Sequence, residues 1–306
     1  MEDGSVHYSV SDRNRVRSST TGCEMQTDNS RLDYHKRGIT IGPASTLIWS
    51  ELAALWDYRE LLLFLTLRDI KIRYSNTVIG LAWVVLKPLS TVVIFSLLFG
   101  RMVKIESEGI PYPVFAFAGV VPWFFFSNTV NSCSNSLIGS SNLITKVYFP
   151  RLIIPAAALI AGLTDFLVSL LLMSCLIFYF GIRLNASIIF LPYLVFITAL
   201  LTLGVGIFTS ALSVRYRDVQ HVLPFLLQLM MFVTPVIYPS SLLPPLWAGL
   251  VKLNPLTGVI DGYRSIMFGR PLPMSSLLLS TCLTCLVVFF STWYFRRTED
   301  TFADII

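Results

Sequence analysis

Charge is scarce in this chain of 306 residues: Asp, Glu, Lys and Arg make up 13% of it, against 54% hydrophobic residues. That balance excludes a soluble domain whose apolar residues are confined to one core, and the positive mean hydropathy points to a multi-span membrane protein. No Gly-Lys dipeptide occurs, which excludes a phosphate-cradling ATP loop of the usual kind. Three scattered His residues (His7, His35, His221) make no ligand cluster, and no His/Cys/Asp grouping has catalytic or metal-binding spacing. The chain reads as no enzyme, with no catalytic residue, no metal site and no cofactor of its own.

Cysteine is equally uninformative. There are five, an odd number, and all but Cys23 (Cys133, Cys175, Cys282 and Cys285) lie in apolar segments where a thiol behaves as a small hydrophobe. No disulfide framework is implied, and the Cys282 and Cys285 spacing, suggestive of a metal in a soluble loop, reads as packing inside a span. No basic start followed by an apolar stretch and a small-residue cleavage site is present, so no secretory signal peptide is expected. The net charge of +5 needs no nucleic acid to explain it, because Lys and Arg held in cytoplasmic loops give the same sign.

What is present is a succession of apolar runs. Residues 1–48 are polar and lack any apolar period, and they read as a disordered cytoplasmic tail; residues 49–306 form the membrane domain. Over 52–74 the apolar run is far shorter than the roughly 20 residues a crossing helix needs. Asp57, Glu60, Arg68 and Lys71 share one helical face there, which predicts a helix lying along the interface; a surface helix of a juxtamembrane domain is the alternative. Spans are predicted at 78–99, 114–138, 152–180, 188–214, 219–238 and 275–295. Proline interrupts 240–273, which predicts two short helices at the outer surface, re-entrant and packed on protein, with Asn254 as a cap, Pro255 as first residue and Gly269 as a stop. The expected fold is all-α and integral to the membrane: six spans, an N-terminal interfacial helix and a re-entrant outer hairpin between spans five and six.

Polar residues inside these runs are the candidates for function. Lys87, beside Pro88, either faces an aqueous pathway or snorkels to the near interface. Asp165 is the only acid deep in an apolar run, and is by default a functional or helix-pairing site. Asp261 and Arg264, three residues apart, can pair on one helical face. The second half of the second span is polar (Ser127, Asn128, Asn131, Ser134, Asn135) and should face protein or water. Two short turns are basic: Lys146, Val147, Tyr148, Phe149, Pro150 and Arg151, and then Arg215, Tyr216, Arg217 and Asp218. Lys and Arg near span ends favour the tail side (Arg68, Lys71, Arg73, Lys146, Arg151, Arg215, Arg217, Arg296, Arg297) over the other (Arg101, Lys104, Arg183, Lys252, Arg264, Arg270), placing both termini in the cytoplasm. A transport subunit without an engine must borrow one, and the basic turns with the interfacial helix are where an ATPase would dock.

Several motifs, in order, carry a family resemblance. They are Leu67-Arg68-Asp69-Ile70-Lys71-Ile72-Arg73-Tyr74, Gly80-Leu81-Ala82-Trp83 with Lys87-Pro88-Leu89, and Pro122-Trp123-Phe124-Phe125-Phe126-Ser127-Asn128. Lys146-Val147-Tyr148-Phe149-Pro150-Arg151, Arg217-Asp218-Val219, Thr234-Pro235-Val236-Ile237-Tyr238-Pro239, Asn254-Pro255-Leu256 and Asp261-Gly262-Tyr263-Arg264 follow. From about Trp49 to the end, the chain resembles the permease subunit of type 2 ABC exporters for cell-surface polysaccharides, the group serving O-antigen, teichoic acid and capsule export.

The resemblance implies a homodimer of six-span permeases in the bacterial cytoplasmic (inner) membrane. Two copies of a separate ATP-binding subunit, which bind ATP and Mg, would sit on the cytoplasmic face. A glycan on an undecaprenyl diphosphate lipid would thread between the permeases. Asn142 to Arg151 would be the coupling element set into the ATPase, with Arg217 and Asp218 beside it, and the 240–273 hairpin would cap the outer exit. Physical chemistry adds roles. Trp123, Phe124, Phe125, Phe126 and Tyr238 offer aromatic faces on which sugar rings slide, or else form an interfacial belt. Arg68, Arg73 and Lys87, with Asp69 and Lys71 on the same segment, are candidates for the lipid diphosphate, or pair structurally with Asp69 or Asp57. A drug or small-lipid exporter of the same superfamily is the next reading, and a membrane glycosyl or acyl transferase the third.

Overall fold

In the computed structural model of the chain, the described residues are 56–75, 80, 82–102, 110–182, 186–242, 244–299 and 302, and every regular element among them is helical. They lie in the compact unit Leu47–Ile306. The tail expected over 1–48, the start of the expected interfacial helix and the loop cations Lys104 and Arg183 lie outside the described residues. In chain order the helices are α1 (Arg59–Tyr74), α2 (Ala82–Phe95, continuing as a wide π-helical stretch, Ser96–Met102), α3 (Tyr112–Gly139), α4 (Ser141–Ile144) and α5 (Ile153–Tyr179). Then come α6 (Leu191–Arg215, entered through a 3-10 turn at Ala186–Phe190), α7 (Val219–Val233), α8 (Pro245–Lys252), α9 (Pro255–Met267) and α10 (Met274–Glu299). Among the described residues, five stretches are long and apolar enough to cross a membrane: Ala82–Met102, Tyr112–Gly139, Ile153–Tyr179, Ala186–Arg215 and Met274–Glu299.

Helix α3 is the hub. It packs against α2, α5, α6, α7 and α9, while α10 lies on α6 and α9, and α1 lies on α5. Helices immersed in lipid gain no hydrophobic drive from touching each other, so close approach through small residues and hydrogen bonds has to hold them. Both are seen. A Cβ on Gly162 of α5 would overlap the side chain of Thr129 on α3. Ser134 of α3 and Ser213 of α6 hydrogen-bond at 2.6 Å, both fully buried. The polar half of α3 is therefore divided: Thr129 and Ser134 are buried against neighbours, whereas Asn128 and Asn135 are exposed.

The two larger of three buried clusters among the described residues divide the bundle lengthwise, the third being the small contact of Val130 with Leu223 and Leu227. One gathers the first half of α3 with α5, α6, α9 and the turn at Val236 and Ile237. The other gathers Leu65 of α1, Leu137, Phe149, Ile153, Ala211, Phe295 and Phe302, and so holds the end where α3, α6 and α10 finish and α5 begins.

Helix α7 is shorter than the predicted fifth span. It stops at Val233 because Thr234 is extended (φ −78°, ψ 136°), the conformation a following proline imposes, here Pro235. Its 15 residues span about 22 Å, less than the roughly 30 Å of a bilayer core. The two short helices α8 and α9 stand in the stretch predicted for them. Asn254 caps α9 by accepting from the Leu256 N–H at 3.0 Å, with Pro255 first in the helix, and Gly269 takes φ 65° just beyond its end.

Candidate functional site

Asp165 lies in the interior of α5, where an uncompensated carboxylate is costly. Its compensation comes from the end of α1: Arg73 donates to Oδ2 and Tyr74 to Oδ1. Helix α1 reaches it because Leu65 and Thr66 are buried against α5, while Leu63, Phe64 and Leu67 face outward, as suits a helix lying in the interface. The Tyr74 phenol has its pKa raised, by burial first and by the bond to Asp165 second, so it remains a donor at neutral pH. The ion pair is about one-quarter exposed, with side-chain exposures of 31% and 23% for Arg73 and Asp165.

This clamp forms one wall of a cavity of about 590 Å³. Trp83, Lys87 and Pro88 come from α2; Phe124, Phe125, Asn128, Asn131 and Ser132 from α3; Gly162 and Phe166 from α5. Phe125 is stacked on Phe166, ring centroids 4.5 Å apart, which makes a rigid aromatic floor. Lys87 is exposed, and no ion pair is found for it among the described residues. Arg73 is offset by Asp165, so Lys87 sets the sign of the cavity. Asn131 Oδ1 is buried without a hydrogen-bond partner among the described residues.

The first basic turn is built on α4, a single helical turn. Asn142, Lys146, Val147 and Tyr148 are exposed, and Phe149 is buried beneath them. The Arg151 N–H donates to Glu299 Oε1 at 3.3 Å. Arg217 and Asp218, between α6 and α7, are also exposed. Arg68 pairs with Asp69 at 2.9 Å and reaches Ser140 Oγ at 3.2 Å, tying α1 to the start of the turn; Lys71 stays exposed.

At the other end Arg264 of α9 is 6% exposed. Its guanidinium lies 4.0 Å from the Phe115 ring centroid and donates to the carbonyls of Val236 (2.7 Å) and Tyr238 (3.4 Å). Asp261 stands 3.6 Å away and accepts from Ser240 Oγ at 3.3 Å. Tyr112 donates to the Ile237 carbonyl at 2.7 Å, and a Cβ on Gly119 would strike the Val236 carbonyl, so the turn after α7 is seated directly on α3.

Compared with known proteins, residues 60–268 match the ABC-2 type transporter family. The chain belongs to that family. Similar to it is the O-antigen export system permease protein RfbA of Myxococcus xanthus, 30% identical over 82% of this chain and 97% of the relative. The protein of the same name from Klebsiella pneumoniae is 28% identical over 81% of this chain and 95% of the relative. The polysialic acid transport protein KpsM of Escherichia coli is 26% identical over 77% and 92% respectively.

In this ABC-2 membrane protein the predicted residues fall into separate places. Arg73, Lys87, Phe124, Phe125 and Asp165 meet at the cavity. Arg68, Asp69 and Lys71 do not line it, and neither does Trp123, which is 3% exposed and packs on Phe126. Tyr238 donates to the carbonyls of Phe232 and Val233, closing the end of α7. Asp165 joins two stretches of chain, and the Asp261–Arg264 pair joins three: α9, α3 and the turn after α7. Asn131 stands in the polar run expected to face protein or water, which gives no way to single out one amide. Glu299 and Phe302 carry no signal in the sequence, since they follow the last predicted span with no apolar period.

Proposed function

We propose that this chain is the permease subunit of an ATP-driven exporter that moves lipid-linked polysaccharide across the bacterial cytoplasmic membrane. The observation that carries the reading is the match along nearly the whole length of an O-antigen export permease, 97% of it. Six spans with both termini in the cytoplasm make the most economical layout, α7 and the turn after it completing the fifth crossing and α8 with α9 capping the outer exit. Two such permeases pair, and two ATP-binding subunits carrying ATP and Mg dock below. Asn142, Lys146, Tyr148, Phe149, Pro150 and Arg151 form the coupling element, with Arg217 and Asp218 alongside.

The cavity supports a charged, hydroxyl-rich cargo over a purely apolar one. A pocket for a small lipid or drug is lined mainly by apolar groups with a few polar ones. Here Phe124 and Trp83 alternate with Asn128, Asn131 and Ser132, and Lys87 and Arg73 stand ready for phosphate oxygens. Aromatic faces tolerate a sliding sugar ring, amides hydrogen-bond its hydroxyls, and the cations attract the diphosphate of the carrier lipid. The test is removal of the protein from its host. Lipid-linked glycan should accumulate on the inner leaflet while glycan synthesis continues; normal surface glycan together with altered drug tolerance would instead establish the small-molecule reading. Labelling of a cysteine at position 146 from outside intact cells would overturn the orientation.

A further inference from the structure

The first basic turn has little to hold its own shape. Helix α4 has four residues, too few to be stable alone, since nucleating a helical turn is unfavourable. The exposed residues that follow it, Lys146, Val147 and Tyr148, lead into Phe149, which is 5% exposed and belongs to the same buried cluster as Phe302. Phe302 lies beyond the last span yet is 1% exposed. It meets Phe295 edge-on at 5.3 Å, and the Arg151 guanidinium lies 5.9 Å from its ring centroid. Glu299, at the end of α10, accepts the backbone N–H of Arg151 at 3.3 Å. Glu299 and Phe302, at and beyond the end of the last span, thus both meet the turn at Arg151. That is the last residue of the turn, where the chain enters α5.

We infer that Glu299 and Phe302 are positioning residues for the ATP-binding subunit: they hold the Lys146–Arg151 turn in the shape that subunit grips. This rests on the coupling reading given above. Neither side chain needs to touch the partner. Phe302 supplies the apolar support, and Glu299 fixes the Arg151 peptide, so a load on Tyr148 reaches α5 and α10 together.

The test reconstitutes the permease in lipid nanodiscs and titrates it with the purified ATP-binding subunit, reading the half-saturating concentration separately from the hydrolysis rate at saturation. Phe302→Ala should raise the half-saturating concentration about tenfold and Glu299→Ala about threefold, with Glu299→Gln, which keeps an acceptor, near the parent. Ile177→Ala, at an equally buried site in the other cluster, should lower thermal stability without that shift. If Phe302→Ala does not insert, Phe302→Leu and the Glu299 pair decide by the same readout. Should Tyr148→Ala weaken docking while the Phe302 and Glu299 variants behave like Ile177→Ala, the inference is overturned and the coupling reading stands. Should Tyr148→Ala and Lys146→Glu leave docking unchanged, the coupling reading falls and this inference with it.

Discussion

Two arginines summarise the difference between the ends of this molecule. Arg264 is buried, and an aromatic face, two backbone carbonyls and a carboxylate surround it. Arg73 is about one-third exposed, and its carboxylate partner lies on the rim of a cavity that also receives Lys87. One cation is used up in holding three stretches of chain together; the other stands where a ligand can compete for it. The Arg264 end is built to keep its shape, and the cavity end to receive something.

The largest effect should follow from breaking the closed end. Arg264→Ala removes the cation beside half-buried Asp261, which keeps only its bond from Ser240, and leaves the buried Val236 carbonyl without its donor; it should lower stability by about 3 kcal/mol, read as earlier thermal unfolding in detergent. A variant as stable as the parent would erase the contrast drawn above. Next comes the exposed turn: reversing charge at both Lys146 and Arg151 should uncouple ATP hydrolysis or release the ATPase while the permease still inserts, and unchanged export would refute its role.

Lys87→Gln should reduce export about tenfold with unfolding temperature unmoved, because the cation has no structural partner among the described residues to lose. A loss of stability equal to that of Arg264→Ala would make Lys87 a structural residue after all. The smallest change is expected from Asp165→Asn. Asn still accepts from Arg73 or Tyr74, so about 1 kcal/mol of stability should be lost and export should remain nearly intact and independent of pH. Abolished export in a well-folded Asp165→Asn protein would turn the clamp into a proton path.

Much of the helical layout was legible in the residues. Apolar runs marked the five long stretches within a few positions, Asn254-Pro255 marked the start of α9, and Gly269 its end. The pairing of Asp165 was not legible: Arg73 and Tyr74 are 92 and 91 positions upstream, and an apolar helix shows no periodic stripe that reveals which face meets protein. The aromatic run 123–126 illustrates the same limit. Four consecutive residues point around the helix at 100° steps, so Phe124 reaches the cavity while Trp123 is buried in the core. Hydropathy overestimates the length of α7, because it counts apolar residues past Val233, whereas Pro235 ends the helix there.

Gly162 has a consequence beyond packing. It lines the cavity on one side and admits Thr129 on the other, so the spacing of α3 and α5 at that depth is fixed by the absence of a single methyl group. Restoring that carbon would wedge the two helices apart and alter the calibre of the chamber without touching any polar group in it. On the proposed cargo path, size and chemistry are thus set by different residues, and Gly162→Ala should change the width of cargo exported while leaving the polar lining in place.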